Sequence, residues 1–331
     1  MKGHITDKKK KSEKKGAVKR IFLGALLIGI GALILGGCGS STEETQSEQE
    51  KTASAKKEDD KIQIGLTVDS FVIERWIRDR DVFVATAREM GADVNVQDAG
   101  ADAKEQISQI EYFISKQVDV IVVIARDCGA LSDVIQKAQN AGIPVISYDR
   151  MINNSNTNLY ISFDNRKVGE IMAQALIDAI PQGGDIFMIQ GSSTDNNVHM
   201  LKKGFDDVLK NSDLNVVYEA NCEGWMAELA EGYMEEALEK YPHVKGIMCG
   251  NDDIASQVVE VLAENQMAGD VIVVGQDGDL AACQRIVEGT QYMTAFKPIE
   301  DLASEICGGD RKRQRPFRAG RRDRDCKRRN L

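Results

Sequence analysis

Charged, amide and indole side chains recur in this chain just past short apolar runs. Asp69 and Glu74-Arg75-Trp76 follow Ile62–Val68, Asp149-Arg150 follow Ile143–Ser147, and Asp195-Asn196-Asn197 follow Asp185–Gln190. Trp225, Asn251-Asp252, Gln276-Asp277 and Lys297 stand in the same relation to the four later runs. Arg and Lys donate hydrogen bonds, Asp accepts them, Asn does both, and an indole offers an apolar face. That mixture suits a polyhydroxylated ring, whose hydroxyls donate and accept while its C–H face packs on an indole. Each hydrogen bond to a charged partner contributes about 1.5–3 kcal/mol net, so a few reach the ~8 kcal/mol of micromolar binding. The same residues have plainer readings: Asp149-Arg150 as a surface ion pair, Asp69 and Asp195 as helix caps, Trp225 as a core indole.

What must position these residues is a βα alternation. The pattern predicts strands at about Ile62–Val68, Val94–Gln97, Val118–Ala125, Ile143–Ser147 and Leu159–Phe163, with helices near Glu74–Met90, Lys104–Gln117 and Leu131–Ala141. A second round has strands at about Asp185–Gln190, Asn215–Glu219, Val244–Cys249, Val271–Gly275 and Gln291–Phe296. Its helices fall near Arg166–Ile180, Asn197–Lys210, Met226–Lys240, Ile254–Asn265 and Leu280–Glu288. The fold class this implies is α/β, two doubly wound parallel-sheet lobes joined in sequence, with ligands bound beyond the carboxyl ends of the strands. The chain has two Trp residues, Trp76 and Trp225, one in each round. With strand order 2-1-3-4-5, Cys222 and Cys249 follow strands separated by a third, about 10 Å apart at ~4.8 Å per strand, so the body cysteines are expected to be free.

Composition removes several function classes. The 331 residues carry a net charge of −10, but residues 1–37 hold nine Lys and Arg against two acids, and residues 306–331 hold eleven against three. The body between them is therefore at −25, which argues against nucleic acid as a partner. Seven cysteines without a C-x-x-C pair and three scattered histidines, His4, His199 and His243, give no zinc or iron–sulfur site. Ser192 and Ser193 near His199 form no nucleophile elbow, Gly29-x-Gly31 lies in the amino-terminal apolar run, and there is no Walker loop, so no enzyme and no cofactor is expected.

The two ends differ from the body. Lys-rich residues 1–20, the apolar run Ile21–Leu35 and Leu35-Gly36-Gly37-Cys38 read as a signal peptide over 1–37 with Cys38 lipidated. Its two or three acyl chains would hold the protein on a membrane, with residues 38–60 as a disordered tether. After Glu305 the sequence turns Arg-rich, and 306–331 is expected to be an aberrant basic tail out of frame. Permitted codons for Ile306 to Gln314 let the neighbouring frame read Ser-Ala-Val-Val-Ile-Ala-Lys-Gly, a natural continuation of a helix at Ile299–Glu305.

Several of these motifs together resemble one family. Asp69, the run Glu74-Arg75-Trp76-Ile77-Arg78-Asp79-Arg80-Asp81, Tyr148-Asp149-Arg150-Met151-Ile152-Asn153, Tyr160 to Asn165, Asp195-Asn196-Asn197, Asn251-Asp252, Gly275-Gln276-Asp277 and Lys297-Pro298 look like the xylose-binding proteins of bacterial sugar ABC transporters. The likeness spans about residues 61–305. It implies the type I periplasmic-binding-protein fold, two lobes joined by a hinge, with one lobe at 61–163 plus 298–305 and the other at 164–297. It also implies ligand contact by Arg75, Trp76, Asp149, Arg150, Asn197, Trp225, Asn251, Asp277 and Lys297, with Asp69 and Asp195 as helpers. The expected partners are a monosaccharide, D-xylose before others, and an ABC permease, met outside the cell membrane by a lipid-anchored protein. Such proteins continue past Lys297 through a helix and a strand and then cross back, so the tail marks a truncation or frameshift. An alternative role is sugar co-receptor for a membrane histidine kinase; the binding chemistry would be the same, and neighbouring genes would distinguish them.

Overall fold

The run Ile62–Val68 (β1) lies between Ala92–Asp98 (β2) and Val120–Val123 (β3), with Ile64 in register with Val94 on one side and Val120 on the other. The structure, a computed structural model, describes residues 61–306 and the short strand at 319–321. Val145–Tyr148 (β4) and Leu159–Ile161 (β5) complete a parallel sheet of order β2-β1-β3-β4-β5. Its crossovers are Glu74–Glu89 (α1), Ala103–Ser115 (α2) and Ser132–Asn140 (α3). Because both faces of a parallel sheet are covered, the strands read as apolar runs rather than alternating ones. Val122, Val123 and Val145 are fully buried.

Past β5 the chain leaves this sheet, and Asn165–Ala179 (α4) opens the second round, capped by the Asp164 carboxylate on the Lys167 amide. Gly184–Gln190 (β6), Leu214–Asn221 (β7), Gly246–Cys249 (β8), Ile272–Asp277 (β9) and Met293–Phe296 (β10) repeat the same order, β7-β6-β8-β9-β10. Between them run Asn196–Leu209 (α5), Leu229–Lys240 (α6), Asp252–Glu264 (α7) and Leu280–Glu288 (α8). Ile299–Ile306 (α9) then returns to pack against α1, burying Leu302 and Ala303. Ala319–Arg321 (β11) pairs antiparallel with β10, Met293 opposite Arg321, and extends the second sheet at its edge.

The doubly wound architecture of both lobes is thus as the apolar rhythm predicts. Boundaries moved where tertiary contacts intervene. β2 is longer than expected, and β3 is shorter than Val118–Ala125, since Ala125 turns its carbonyl to the Arg150 guanidinium. A 3₁₀ turn at Glu223–Trp225 was not foreseen. Cys128, Cys222, Cys249 and Cys283 are free. The signal segment, Cys38, the tether and most of the basic tail lie outside the described residues.

Candidate ligand-binding cleft

The carboxyl ends of both sheets face each other, and the loops there carry the polar groups. Arg75 and Trp76 stand in the first turn of α1, and Asp149 and Arg150 just beyond β4. From the other lobe come Asn197 in the first turn of α5, Trp225, Asn251 at the start of α7, Asp277 ending β9 and Lys297 past β10. All nine line one cavity of about 300 Å³, joined by Ile73, Asp195 and Gln276.

The first lobe brings two arginines, each wrapped in acids. Arg75 bonds Asp79 through Nε at 3.1 Å, bonds Asp149 through Nη2, and faces Asp277 of the other lobe at 3.6 Å. Behind it the Tyr148 hydroxyl donates to Asp79 at 2.7 Å. Burial alone would lower the Arg75 pKa, but Asp149, Asp79 and Asp277 outweigh it and raise it well above the ordinary value. Burial likewise works to raise Asp149, yet Arg75, Lys297 and Arg150 prevail and hold its carboxyl low. Asp79 stays raised, because burial exceeds the pull of Arg75. Arg150 donates through Nη1 to Asp69 at 2.7 Å and to the Ala125 carbonyl at 2.9 Å, and meets Asp195 across the cleft at 2.8 Å. Its guanidinium lies between the two indoles, 5.3 Å from Trp76 and 5.8 Å from Trp225, at cation–π range. Asp149 and Arg150 therefore do not form the surface ion pair of the plain reading: Asp149 pairs with Arg75, Arg150 pairs with Asp69 and Asp195, and all of these groups are buried.

The second lobe is built differently. Trp225 has φ +60° and follows Gly224 at +66°, a left-handed pair that folds the indole back. Its outer ring covers Gly191 so closely that a Cβ there would sit 2.3 Å from it, and its Nε1 donates to Asp195 at 3.1 Å. Asp149 at +62° and Asp277 at +104° are also left-handed, so three of the nine carry backbone strain, as functional sites often do. Asp252, beneath this surface, accepts from Thr294, Gln291 and the Gly278 and Asp279 amides, with no cation bonded to its carboxylate. Burial first and Asp277 next push it up to about 7. Among the described residues, one trio of carboxylates, Glu74, Asp253 and Asp279, comes within 4.8 Å and straddles the lobes. Arg78 of α1 already pairs with Asp279 at 2.6 Å.

Five buried polar atoms on cavity-lining residues have no hydrogen-bond partner among the described residues: the donors Arg150 Nη2 and Trp76 Nε1, and the acceptors Asn197 Oδ1, Gln276 Oε1 and Asp277 Oδ1, the last facing the Lys297 ammonium at 3.1 Å. Leaving such a group unpaired costs about 1–3 kcal/mol each, so the cavity is set to receive a molecule that both accepts and donates.

Residues 64–307 match the model of the periplasmic binding protein domain. The chain belongs to the periplasmic binding protein family. It is similar to the D-xylose-binding periplasmic proteins of Haemophilus influenzae, 42% identical over 74% of this chain and 75% of that one, and of Escherichia coli, 42% identical over 73% and 75%. Among solved structures it resembles an ABC transporter solute-binding protein from Clostridium phytofermentans with bound β-D-glucose, at 28% identity and TM-score 0.69 over 74% of this chain and 82% of that one. Another, from Actinobacillus succinogenes with bound D-allose, has 27% identity and TM-score 0.70 over 74% and 89%. As a periplasmic binding protein the chain is a binding protein and not an enzyme.

Within this periplasmic binding protein, the sequence-derived residues divide by how free they are. Asn251 lines the cavity, but its Oδ1 caps α7 on the Ile254 amide and its Nδ2 donates to Asp253. Asp195 caps α5 and also holds Trp225 and Arg150, whereas Asp69 caps nothing and holds Arg150 and Arg126. One face of Trp76 is covered by Arg75 at 4.1 Å. Gln276 was visible as a polar residue ending β9 but was not singled out, and Ile73 gave no signal.

Proposed function

We propose that this protein captures a monosaccharide, D-xylose or a similar aldopyranose, outside the cell membrane and delivers it to an ABC permease, anchored by lipid on Cys38. The observation that carries the sugar reading is the set of unpartnered buried atoms, two donors and three acceptors, beside two indoles in one cavity. A pyranose meets that set with its hydroxyls, whereas an amino acid would bring buried charges to a site where Arg75 is already paired with Asp149 and Arg150 with Asp69 and Asp195. Arg75, Trp76, Asp149, Arg150, Asn197, Trp225, Asn251, Asp277 and Lys297 are the contacts in this reading. The names of the 42% identical relatives support D-xylose. Calorimetric titration of the full chain with D-xylose, L-arabinose, an amino acid and a nucleoside tests it. Heat with the pentoses alone is expected, and binding of the amino acid or nucleoside without the sugars would overturn it.

A further inference from the structure

Behind the main cavity, inside the second lobe, lies a second gap with room for about one water. The two share three wall residues, Asn197, Trp225 and Gln276. Two of these are pinned by their amides: Asn197 Nδ2 donates to Asp149 at 2.7 Å, and Gln276 Nε2 to the Gly250 carbonyl at 2.5 Å. The third is Trp225, whose indole lies over Gly191 and whose Nε1 donates to Asp195, so that its ring borders both spaces. Beyond it the space is walled by Gly191, Val198, Leu201, Met248 and Gly250, with Gln190 the one further polar residue. The free oxygens of Asn197 and Gln276 belong to residues that border both spaces.

We propose that Trp225 sets the size of the ligand: its indole closes off this annex, restricting the cleft to a pentopyranose, and without it the joined space admits the exocyclic hydroxymethyl of a neutral hexopyranose. This rests on the aldopyranose reading above. No charged side chain lines the annex, so a hydroxymethyl can enter and donate to a free amide oxygen, whereas the carboxylate of a hexuronic acid would be buried without a counter-ion. A pocket that differs by one such group discriminates by about 10- to 200-fold.

The test is titration of the full chain and of Trp225→Leu with D-xylose, D-glucose and D-glucuronate. The wild type is expected to prefer D-xylose, Trp225→Leu to shrink the glucose-to-xylose ratio of dissociation constants by about tenfold or more, and glucuronate to bind neither. Trp225→Leu/Val198→Phe, which refills the annex, should restore the preference. Trp225→Phe keeps a ring in the core and gives the same comparison with a smaller change should the Leu variant fold poorly. An unchanged ratio in folded variants, or a wild type that binds glucose as tightly as xylose, overturns the partition. A wild type that binds neither sugar overturns the ligand reading and this inference with it.

Discussion

The two lobes meet the cavity with opposite electrostatic economies. The first supplies cations: Arg75 and Arg150, each bonded to acids of its own lobe before any partner arrives. The second supplies amides, an indole and an excess of acid, with Asp252 bonded only to neutral donors, Asp279 relying on Arg78 from the other lobe, and Asp277 facing Lys297 and Arg75. The first lobe's site is thus assembled in advance, whereas part of the second lobe's acid is neutralised by the first. Asp149 is accordingly held low, while Asp252 is pushed up to about 7 and Asp253 to about 6, in both cases with burial as the largest cause.

The largest effect is expected where one cation serves both lobes. Arg75→Met removes the cation bonded to Asp79 and Asp149 and one of the two facing Asp277, and removing one member of a buried pair costs about 3–5 kcal/mol. Urea unfolding should show that loss, and sugar binding should fall with it. Stability and affinity both near wild type would show that the first lobe does not depend on its arginine.

A second contrast is set by pH. The folded-state pKa of Asp252 is raised from 3.8 to about 7. Its stabilising contribution is therefore fully present below about 3.8 and is lost as pH climbs through 7, by up to roughly 4 kcal/mol at 1.36 kcal/mol per unit. Asp149, held low, works the other way and loses its contribution as pH falls. Thermal unfolding of Asp252→Asn should decline less between pH 5 and pH 8 than that of the wild type. Parallel curves would place the loss of stability with rising pH elsewhere.

Smaller changes sharpen the comparison inside the first lobe. Arg150→Ala should weaken sugar binding more than Arg150→Lys, since Lys keeps a charge but not the planar fork that serves Asp69, Asp195 and the free Nη2 at once. The expected gap is about 1.5–3 kcal/mol, one charged hydrogen bond. Equal dissociation constants for Ala and wild type would leave Arg150 a purely structural ion pair. Smallest is Tyr148→Phe, which removes only the bond to Asp79 and should cost about 1 kcal/mol of stability. No change by denaturant titration would mean that Asp79 is held by Arg75 alone.

Much of this was legible from the rule that parallel strands end at a crevice. It placed all nine among the residues that follow apolar runs, together with others such as Glu74, Asn196 and Asp252 that do not line the cavity, and the resemblance to xylose-binding proteins is what separated the nine from the rest. What lies one layer deeper was not. Asp79 and Tyr148 sit within motifs that were quoted, but their mutual bond depends on how α1 packs against β4. That Asn251 has both amide atoms engaged, and that Asp195 caps a helix while also gripping an indole and a guanidinium, follows from tertiary approach rather than residue type. The fold of Trp225 onto Gly191 needs two consecutive left-handed residues, and the second is a Trp, a type that gives no hint of positive φ.

The direct bonds between lobes, Asn197 to Asp149, Arg150 to Asp195 and Arg78 to Asp279, carry a cost for capture as well as a gain in order. They favour the shut conformer whether or not cargo is aboard, so the apparent affinity becomes the intrinsic one scaled by the fraction of molecules in the receptive conformer. Arg78 does not line the cavity, and a change there can retune uptake without altering a single ligand contact. Sequence drift at the rim is thus a route by which the threshold concentration of cargo can shift while its identity stays fixed.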